Sequence, residues 1–535
     1  MLRSATHTED AEYTFGSHRA TRRPVSHYVL ALGALFAAAL AAIPLVYLLV
    51  RVSAANPTVV SELVARGRTL ELLFNTVGLV VSVAAASLVI GVTIAWLVTR
   101  SDLAGRRAWL VISSLPLAIP SYVAAFGWVA TTPLRGFWGA WLVLTVCNIP
   151  LVTLPTVAAL RQSNSGAEDV ARTLGKSRIA AFMAATWPQV RPAALAGTLL
   201  VSLYVLSDFG AVALMRFDAF TWAIHTAYSS LFDRTLAATL SVLLAVLGIA
   251  LVYAERRARG AHTRFGSTVT TRTPVVPTPL GRGAILAHTG LASIAVLSLG
   301  VPLATLVRYL GLRVEGAIAV TAADLAADLG ATVMLAGAGA AIALTLSFPI
   351  GLFAARVGGA LARLAESVSY LGLALPGIVV GLALVFFSLA VVPALYQTGL
   401  MLAFAYGILF LPKALGAVRS SIEQVEPGLE DVGRTLGETQ WGVWRRVTAR
   451  IAWPGIGAGA LLVALTAMKE LPATLLLRPT GTDTLATSLW RLTEASAYSA
   501  AAPYAVLLIV AATIPTLLLT REAMAHTAPR KGARL

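Results

Sequence analysis

Residues 168–175 read EDVARTLG, and residues 430–437 read EDVGRTLG. Seven of the eight positions agree across a separation of 262 residues. The same offset relates a proline (Pro192, Pro454) and a glycine (Gly197, Gly459) farther along. Each octapeptide is a polar segment set between long apolar runs. The chain therefore reads as two copies of one unit, each carrying the same exposed device.

The apolar runs set the class. The 535 residues are 57% hydrophobic and 12% charged, with a mean hydropathy of +0.79, a composition outside the range of soluble globular proteins. Twelve stretches approach the roughly 20 apolar residues that a bilayer crossing needs. They cover 28–50, 72–98, 109–130, 138–160, 193–215 and 236–254 in one half, then 285–307, 328–355, 367–392, 399–418, 455–477 and 503–519 in the other. Six crossings return the chain to its starting side, so the second half inserts in the same orientation as the first. A pseudo-two-fold axis along the membrane normal then relates the halves. The expected product is an all-α integral membrane protein of about twelve helices. Its parts are a tail (1–27), a first half (28–254), a linker (255–283), a second half (284–519) and a second tail (520–535). The first tail is polar and reads as disordered; the linker is rich in Arg, Thr and Pro and lacks apolar periodicity.

The net charge of +16 raises the question of nucleic acid, but the placement of the charge answers it. With a cytoplasmic N-terminus, 29 of the 41 Lys and Arg fall in the tails and loops of that side, 10 fall opposite, and Lys413 and Lys469 lie within spans. This asymmetry predicts cytoplasmic termini and cytoplasmic repeated loops, and it makes the basic excess a topology signal rather than a nucleic-acid surface. Arg51, Arg66 and Arg68 in the first outer loop are discordant with it. Arg22 and Arg23 precede an apolar run too long for a signal-peptide core, which predicts an uncleaved first span. The single cysteine, Cys147, has no partner for an internal disulfide.

The repeated loops, 161–192 and 419–454, have a readable local structure. Glu168 and Asp169, like Glu430 and Asp431, stand at the start of a short helix, where its dipole favours acids by about 0.3–1 kcal/mol each. Gly175 and Gly437 stand where a left-handed residue ends it. A second helix outside the membrane follows, with an apolar face of Ile179, Phe182, Met183 and Thr186 in one copy and Trp441, Trp444 and Val447 in the other. A soluble partner with a matching groove accounts for such a face. Gly175-Lys176-Ser177 has the look of a phosphate-loop end, but the glycine required five residues earlier is Val170 and no strand precedes it, so an ATP site is rejected.

Asp208 and Glu470 are also 262 apart, deep in the fifth span of each half, with Lys469 adjacent. Ionisable groups there cost roughly 2.5–3.5 kcal/mol and face protein or water. Two readings stand: they flank a translocation path, or they pair structurally, Lys469 being one candidate partner. Pro120 and Pro376, in LPLAIPSYVAAF and LGLALPGIVVGL, mark either packing kinks or helices that bend at the path. The histidines show no ligand spacing, and His225 reads as an outer-loop residue. The outer loops 216–235 and 478–502 are candidates for receiving a substrate-loaded protein. No nucleophile and base stand together, which argues against an enzyme.

The segment Glu168-Asp169-Val170-Ala171, then Gly175 and Trp187-Pro188, resembles the EAA motif of binding-protein-dependent ABC importer permeases. The second copy has Ala449 and Arg450 in place of Trp187 and Pro188, which predicts a different exit from that loop. KELPATLLLRPTGTDTLATSLW (469–490) and SDFGAVALMRF (207–217) look most like ferric-iron importer permeases, with Ser207 where a lysine is usual. Permeases for thiamine, polyamines, sulfate or phosphonates share much of this pattern. The resemblance implies a type I importer permease with both transmembrane halves fused, in a bacterial or archaeal cytoplasmic membrane. Its two loops would seat in two separate ATPase subunits that bind the ATP, with no cofactor in this chain. An extracytoplasmic substrate-binding protein would deliver cargo, and transport would proceed by alternating access. The alternative is a secondary carrier with six plus six parallel spans and no partner.

Overall fold

The structure, a computed structural model, describes residues 25–163, 166–260, 277–312 and 318–527. Residues 1–24 of the first tail, 528–535 of the second and 261–276 in the middle of the linker lie outside this set. Among the described residues there is no strand, only an isolated backbone bridge between Ser101 and Thr278. Nine helices among the described residues are long and apolar enough to cross a membrane, and two bent helix pairs raise that to eleven if each pair is one span. The helix Tyr498–Thr527 covers the last of the twelve predicted stretches, with a shorter apolar part at Tyr498–Thr513.

The third span of each half is broken, not kinked. Arg106–Ala118 and Ser121–Val129 meet at 91°, and Gly359–Leu373 and Gly377–Val391 meet at 108°. Pro120 and Pro376 are the N-cap residues of the second pieces, with extended ψ of 144° and 149°. The residue before a proline is pushed out of the α region, and Ile119 accordingly sits at φ −88°, ψ 121°. A continuous helix through either site is thereby ruled out.

The fifth spans also differ from a simple crossing. They begin in the loops, as Arg178–Ser207 and Trp441–Ala467, and end before Asp208 and Glu470 instead of running on to 215 and 477. Short helices, Gly210–Leu214 and Pro472–Leu477, follow the breaks. Both long helices pass through one π-turn at equivalent positions, Phe182–Thr186 and Trp444–Thr448. The exits of the two loops therefore coincide. Pro188 lies directly after the π-turn of the continuous helix Arg178–Ser207, and the second half takes the same path with Arg450 in its place.

The repeated glycines Gly197 and Gly459 are contact points. A Cβ on Gly197 would come 2.5 Å from the Leu151 carbonyl oxygen, and one on Gly459 would come 2.4 Å from the Ala417 Cβ. Small residues at such crossings let helix backbones approach.

The first span of each half packs on the other half. Ala34, Ala37, Ala38 and Ala41 of Val25–Ser53 pack with Leu346, Ile350, Phe353 and Leu411. The equivalent stretch, Gly283–Gly311, docks on the broken third span of the first half. Thr305 donates to the Gly127 carbonyl at 3.0 Å, Tyr309 to the Ala130 carbonyl at 2.9 Å, and the Trp109 indole to His288 Nδ1 at 3.0 Å. This exchange ties the halves together without the linker.

The outer segments are not surface loops. Phe220–Ser229 and Leu485–Glu494 are helices that bury Phe220, Thr221, Ile224 and Ala227 in one half and Leu485, Leu489, Trp490 and Leu492 in the other. His225 sits in an aromatic cluster, stacked on Trp222 with centroids 5.7 Å apart and 5.1 Å from Phe209. The discordant Arg68 is paired with Glu71 at 2.9 Å and Asp218 at 2.7 Å, and Arg51 lies 5.7 Å from the Phe386 ring centroid.

Candidate functional site

Two places in the fold carry unusual chemistry: the exposed loops and a cavity between the halves. In the loops, the short helices Gly166–Thr173 and Pro427–Thr435 carry Glu168 and Asp169, and Glu430, in their first turns. Gly175 and Gly437 have φ of +85° and +86°. The amides of Gly175 and Lys176 bond to the carbonyls of Arg172 and Ala171, and those of Gly437 and Glu438 to Arg434 and Gly433. This paired pattern closes both helices through a left-handed residue, where a side chain is disfavoured.

Glu168 and Glu430 face inward. Thr186 donates to Glu168 at 2.8 Å, and Thr448 donates to Glu430 at 2.7 Å. Each bond locks the short helix onto the π-turn of the long one. Asp169 and Asp431 point to solvent, Asp431 taking a 3.1 Å bond from Arg434. Thr186 is thus buried under the loop and does not belong to its exposed face, and Phe182 and Trp444 are half-buried, with Trp444 edge-on to Phe348 at 5.9 Å. The exposed apolar surface is instead Ile179 (79% exposed) and Met183 with Val170 and Leu174 (78%). In the second copy it is Trp441 with Val432 and Leu436 (78%), Trp441 stacking on Trp444 with centroids 4.8 Å apart. Val170, Leu174, Val432 and Leu436 are apolar positions four apart inside the repeated octapeptides; that spacing is the signal that would have found them.

Arg100 and Arg356, which end the second span of each half, anchor the chain entering each loop. Arg100 Nη2 donates to Ser163 at 2.6 Å and to the Leu160 carbonyl at 3.3 Å. Arg356 donates to the Val425 carbonyl at 3.2 Å and pairs with Glu430 at 2.6 Å.

The cavity, of about 420 Å³, is lined by both helix breaks of both halves. Pro120, Ser121, Ser207 and Asp208 come from the first half; Gly377, Lys413, Thr466, Lys469 and Glu470 come from the second. Pro376 lies at the break beside it without lining it. Asp208 accepts the Ser121 hydroxyl and the amides of Ala211 (2.9 Å) and Val212 (3.4 Å). Glu470 accepts the Ala473 amide at 3.2 Å. The carboxylates therefore satisfy backbone donors that a broken helix leaves unpaired. Gly377 occupies the place of Ser121, and a Cβ there would lie 2.2 Å from Glu470 Oε1. One half uses a short acid and a serine, the other a long acid and a glycine.

Lys469 does not pair with its neighbour Glu470. Its ammonium crosses to the first half and donates to the Ala118 carbonyl at 3.0 Å. Lys413 donates to Thr466 at 3.0 Å and joins the same cavity, a role not assigned to it from sequence. Among the described residues no group of three or more His, Cys, Asp or Glu is placed to hold a metal ion. Phe209, beside Asp208, meets Trp490 of the other half with ring centroids 5.1 Å apart, both rings buried.

An all-helical chain of two equivalent halves, with a charged cavity at their interface and an exposed loop on each, has the architecture of a membrane transport subunit. The model of the family described as "Binding-protein-dependent transport system inner membrane component" matches residues 87–257 and again residues 347–532, and the chain belongs to that family. It is 34% identical over 486 residues to the Fe(3+)-transport system permease protein FbpB 2 of Haemophilus influenzae, covering 90% of this chain and 96% of that one. It is also similar to the sulfate transport system permease protein CysW of Escherichia coli (26% over 204 residues, 35% of this chain and 70% of the relative). The molybdenum transport system permease protein ModB of Escherichia coli is 30% identical over 142 residues, 23% of this chain and 62% of the relative. The protein is the permease component of an ABC importer, a multi-pass membrane protein with both halves in one chain.

Proposed function

We propose that this permease imports ferric iron, that its path runs through the cavity between the helix breaks, and that two ATPase subunits drive it through the loops at 161–192 and 419–454. The iron assignment is supported by similarity along nearly the full length of a ferric permease. An external binding protein delivers the cargo, ATP is bound by the partner subunits, and the termini and loops lie in the cytoplasm, as the distribution of Lys and Arg indicates.

The observation that carries the coupling is continuity. A single helix, Arg178–Ser207, has the loop at one end and Asp208 at the other. At about 1.5 Å per residue its 30 residues span on the order of 45 Å. Trp441–Ala467 repeats the arrangement with Glu470. A displacement of either loop is delivered to the cavity wall along a hydrogen-bonded rod, and the Glu168–Thr186 and Glu430–Thr448 bonds prevent the loop from moving alone. Closure of the ATPases would thus swing the two walls about their interface and expose the cavity to the opposite side.

The test is uptake of radiolabelled ferric iron into proteoliposomes carrying this chain, ATPase subunits from the same source and the loaded binding protein. ATP-dependent accumulation is expected. Uptake by the chain alone under an ion gradient would overturn the coupling, and transport of another cargo with none of iron would overturn the substrate.

A further inference from the structure

Asp208 at the cavity is held at its helix break by three donors, whereas Glu470 and the two ammonium groups each have a single hydrogen-bond partner among the described residues. Asp208 holds a hydroxyl and two backbone amides, and Glu470 holds one amide. Lys413 and Lys469 each have three N–H donors, and the structure gives each a single protein acceptor, Thr466 Oγ1 and the Ala118 carbonyl. Neither ammonium makes a close ion pair among the described residues, although Lys413 lies 5.2 Å from the Phe410 ring centroid and within electrostatic reach of Glu470; both lysines line the same cavity. An ammonium withdrawn from bulk water is costly without a counter-charge, and a compact oxygen anion supplies one together with several acceptors for charge-assisted hydrogen bonds.

We infer that Lys413 and Lys469 form a binding site for a small oxyanion in this cavity. The inference rests on the reading of the cavity as the path. It adds that iron passes as an anion-bound complex, with the hard cation's charge covered by oxygen ligands brought by the anion rather than by wall residues. A bare trivalent cation would meet two ammonium groups in the same cavity, where Asp208 is already engaged by a hydroxyl and two amides. Lys469 is suited to sense the anion, since its acceptor, Ala118, belongs to the broken span of the opposite half. Ligation of the ammonium therefore bears on a contact between halves.

The experiment measures equilibrium binding of radiolabelled sulfate and inorganic phosphate to the purified full-length chain, then iron uptake with the complete transporter with and without added phosphate. Wild type should bind at least one of these anions saturably. K413Q/K469Q should bind it at least tenfold more weakly, and K413R/K469R, which keeps both charges, should retain most of the binding. Iron uptake should rise several-fold with phosphate in wild type and not in K413Q/K469Q. Absence of saturable binding in wild type, or equal affinity in K413Q/K469Q, overturns the site. Should K413Q/K469Q fail to fold, K413Q and K469Q singly carry the same comparison. Iron uptake indifferent to phosphate, together with no anion binding, overturns this inference and leaves the iron reading standing. Uptake of sulfate with none of iron overturns the iron reading and leaves the anion site standing.

Discussion

Gly433 lies against Val443, and a Cβ on the glycine would come 2.9 Å from the valine Cγ2. Gly433 is the single mismatch in the repeated octapeptide, standing where the first half has Ala171. The equivalent of Val443 is Ala181, buried beside the first loop helix. Two buried alanines, Ala171 and Ala181, in one loop are thus replaced by Gly433 and Val443 in the other, the smaller residue making room for the larger. G433A should gain about 1 kcal/mol in helix propensity and lose about 1–3 kcal/mol to crowding, so the net change is destabilising. Adding V443A restores the pair found in the first half. Thermal melting of the two variants checks this: V443A must relieve, not worsen, the effect of G433A.

Gly175 and Gly437 hold φ near +85°, where an L side chain costs about 1–2 kcal/mol. G175D and G437D should each insert into the membrane at normal levels yet lose ATP-coupled uptake. Normal uptake in both variants would refute the coupling role of these loops.

Thr186 and Thr448 donate to Glu168 and Glu430. Replacing each threonine by valine keeps the shape and removes a hydrogen bond to a charged group, worth about 1.5–3 kcal/mol. T186V/T448V is expected to raise hydrogen exchange in 166–173 and 427–435 and to reduce uptake more than ATP hydrolysis. Unchanged exchange would show that the bonds do not hold the loop.

Asp208 caps the helix that follows it, and loss of such a cap costs about 0.5–2 kcal/mol. D208N keeps one oxygen for the Ala211 and Val212 amides, whereas D208A leaves both unpaired. Both variants should transport at least tenfold more slowly, while only D208A should melt measurably lower. Transport by D208N at the wild-type rate would leave the carboxylate with a structural role alone.

Gly377 makes room for Glu470. G377A should force the carboxylate off the Ala473 amide and impair transport, and E470D, one methylene shorter, should partly rescue G377A by recreating the layout of Ser121 and Asp208. An additive loss in G377A/E470D, read by iron uptake, would argue against a shared space.

Much of the architecture was legible because hydropathy and repetition are carried along the chain. Twelve apolar stretches, their division into two sets of six and the left-handed glycines all follow from local composition and turn chemistry. The breaks at Pro120 and Pro376 were legible as irregularities but not as right-angle turns, since proline forbids continuation without specifying the new direction. Helical periodicity sets Thr186 on the apolar stripe but cannot say whether water or another helix covers that position, and in the structure it is buried under the loop. Val170 and Leu174 are masked in composition by an octapeptide that is polar as a whole.

The sequence by itself determined a duplicated, all-helical membrane permease with an equivalent loop in each half, since spans, caps and repeats are encoded by neighbours within a few turns. Only the tertiary structure decided which charges meet. It brings Lys469 to Ala118 across 351 residues, sets Ser121 on Asp208 and Gly377 beneath Glu470, and leaves Lys413 and Lys469 in one cavity. Such contacts depend on how two halves cross and exchange their first helices, and no periodicity within either half records that geometry.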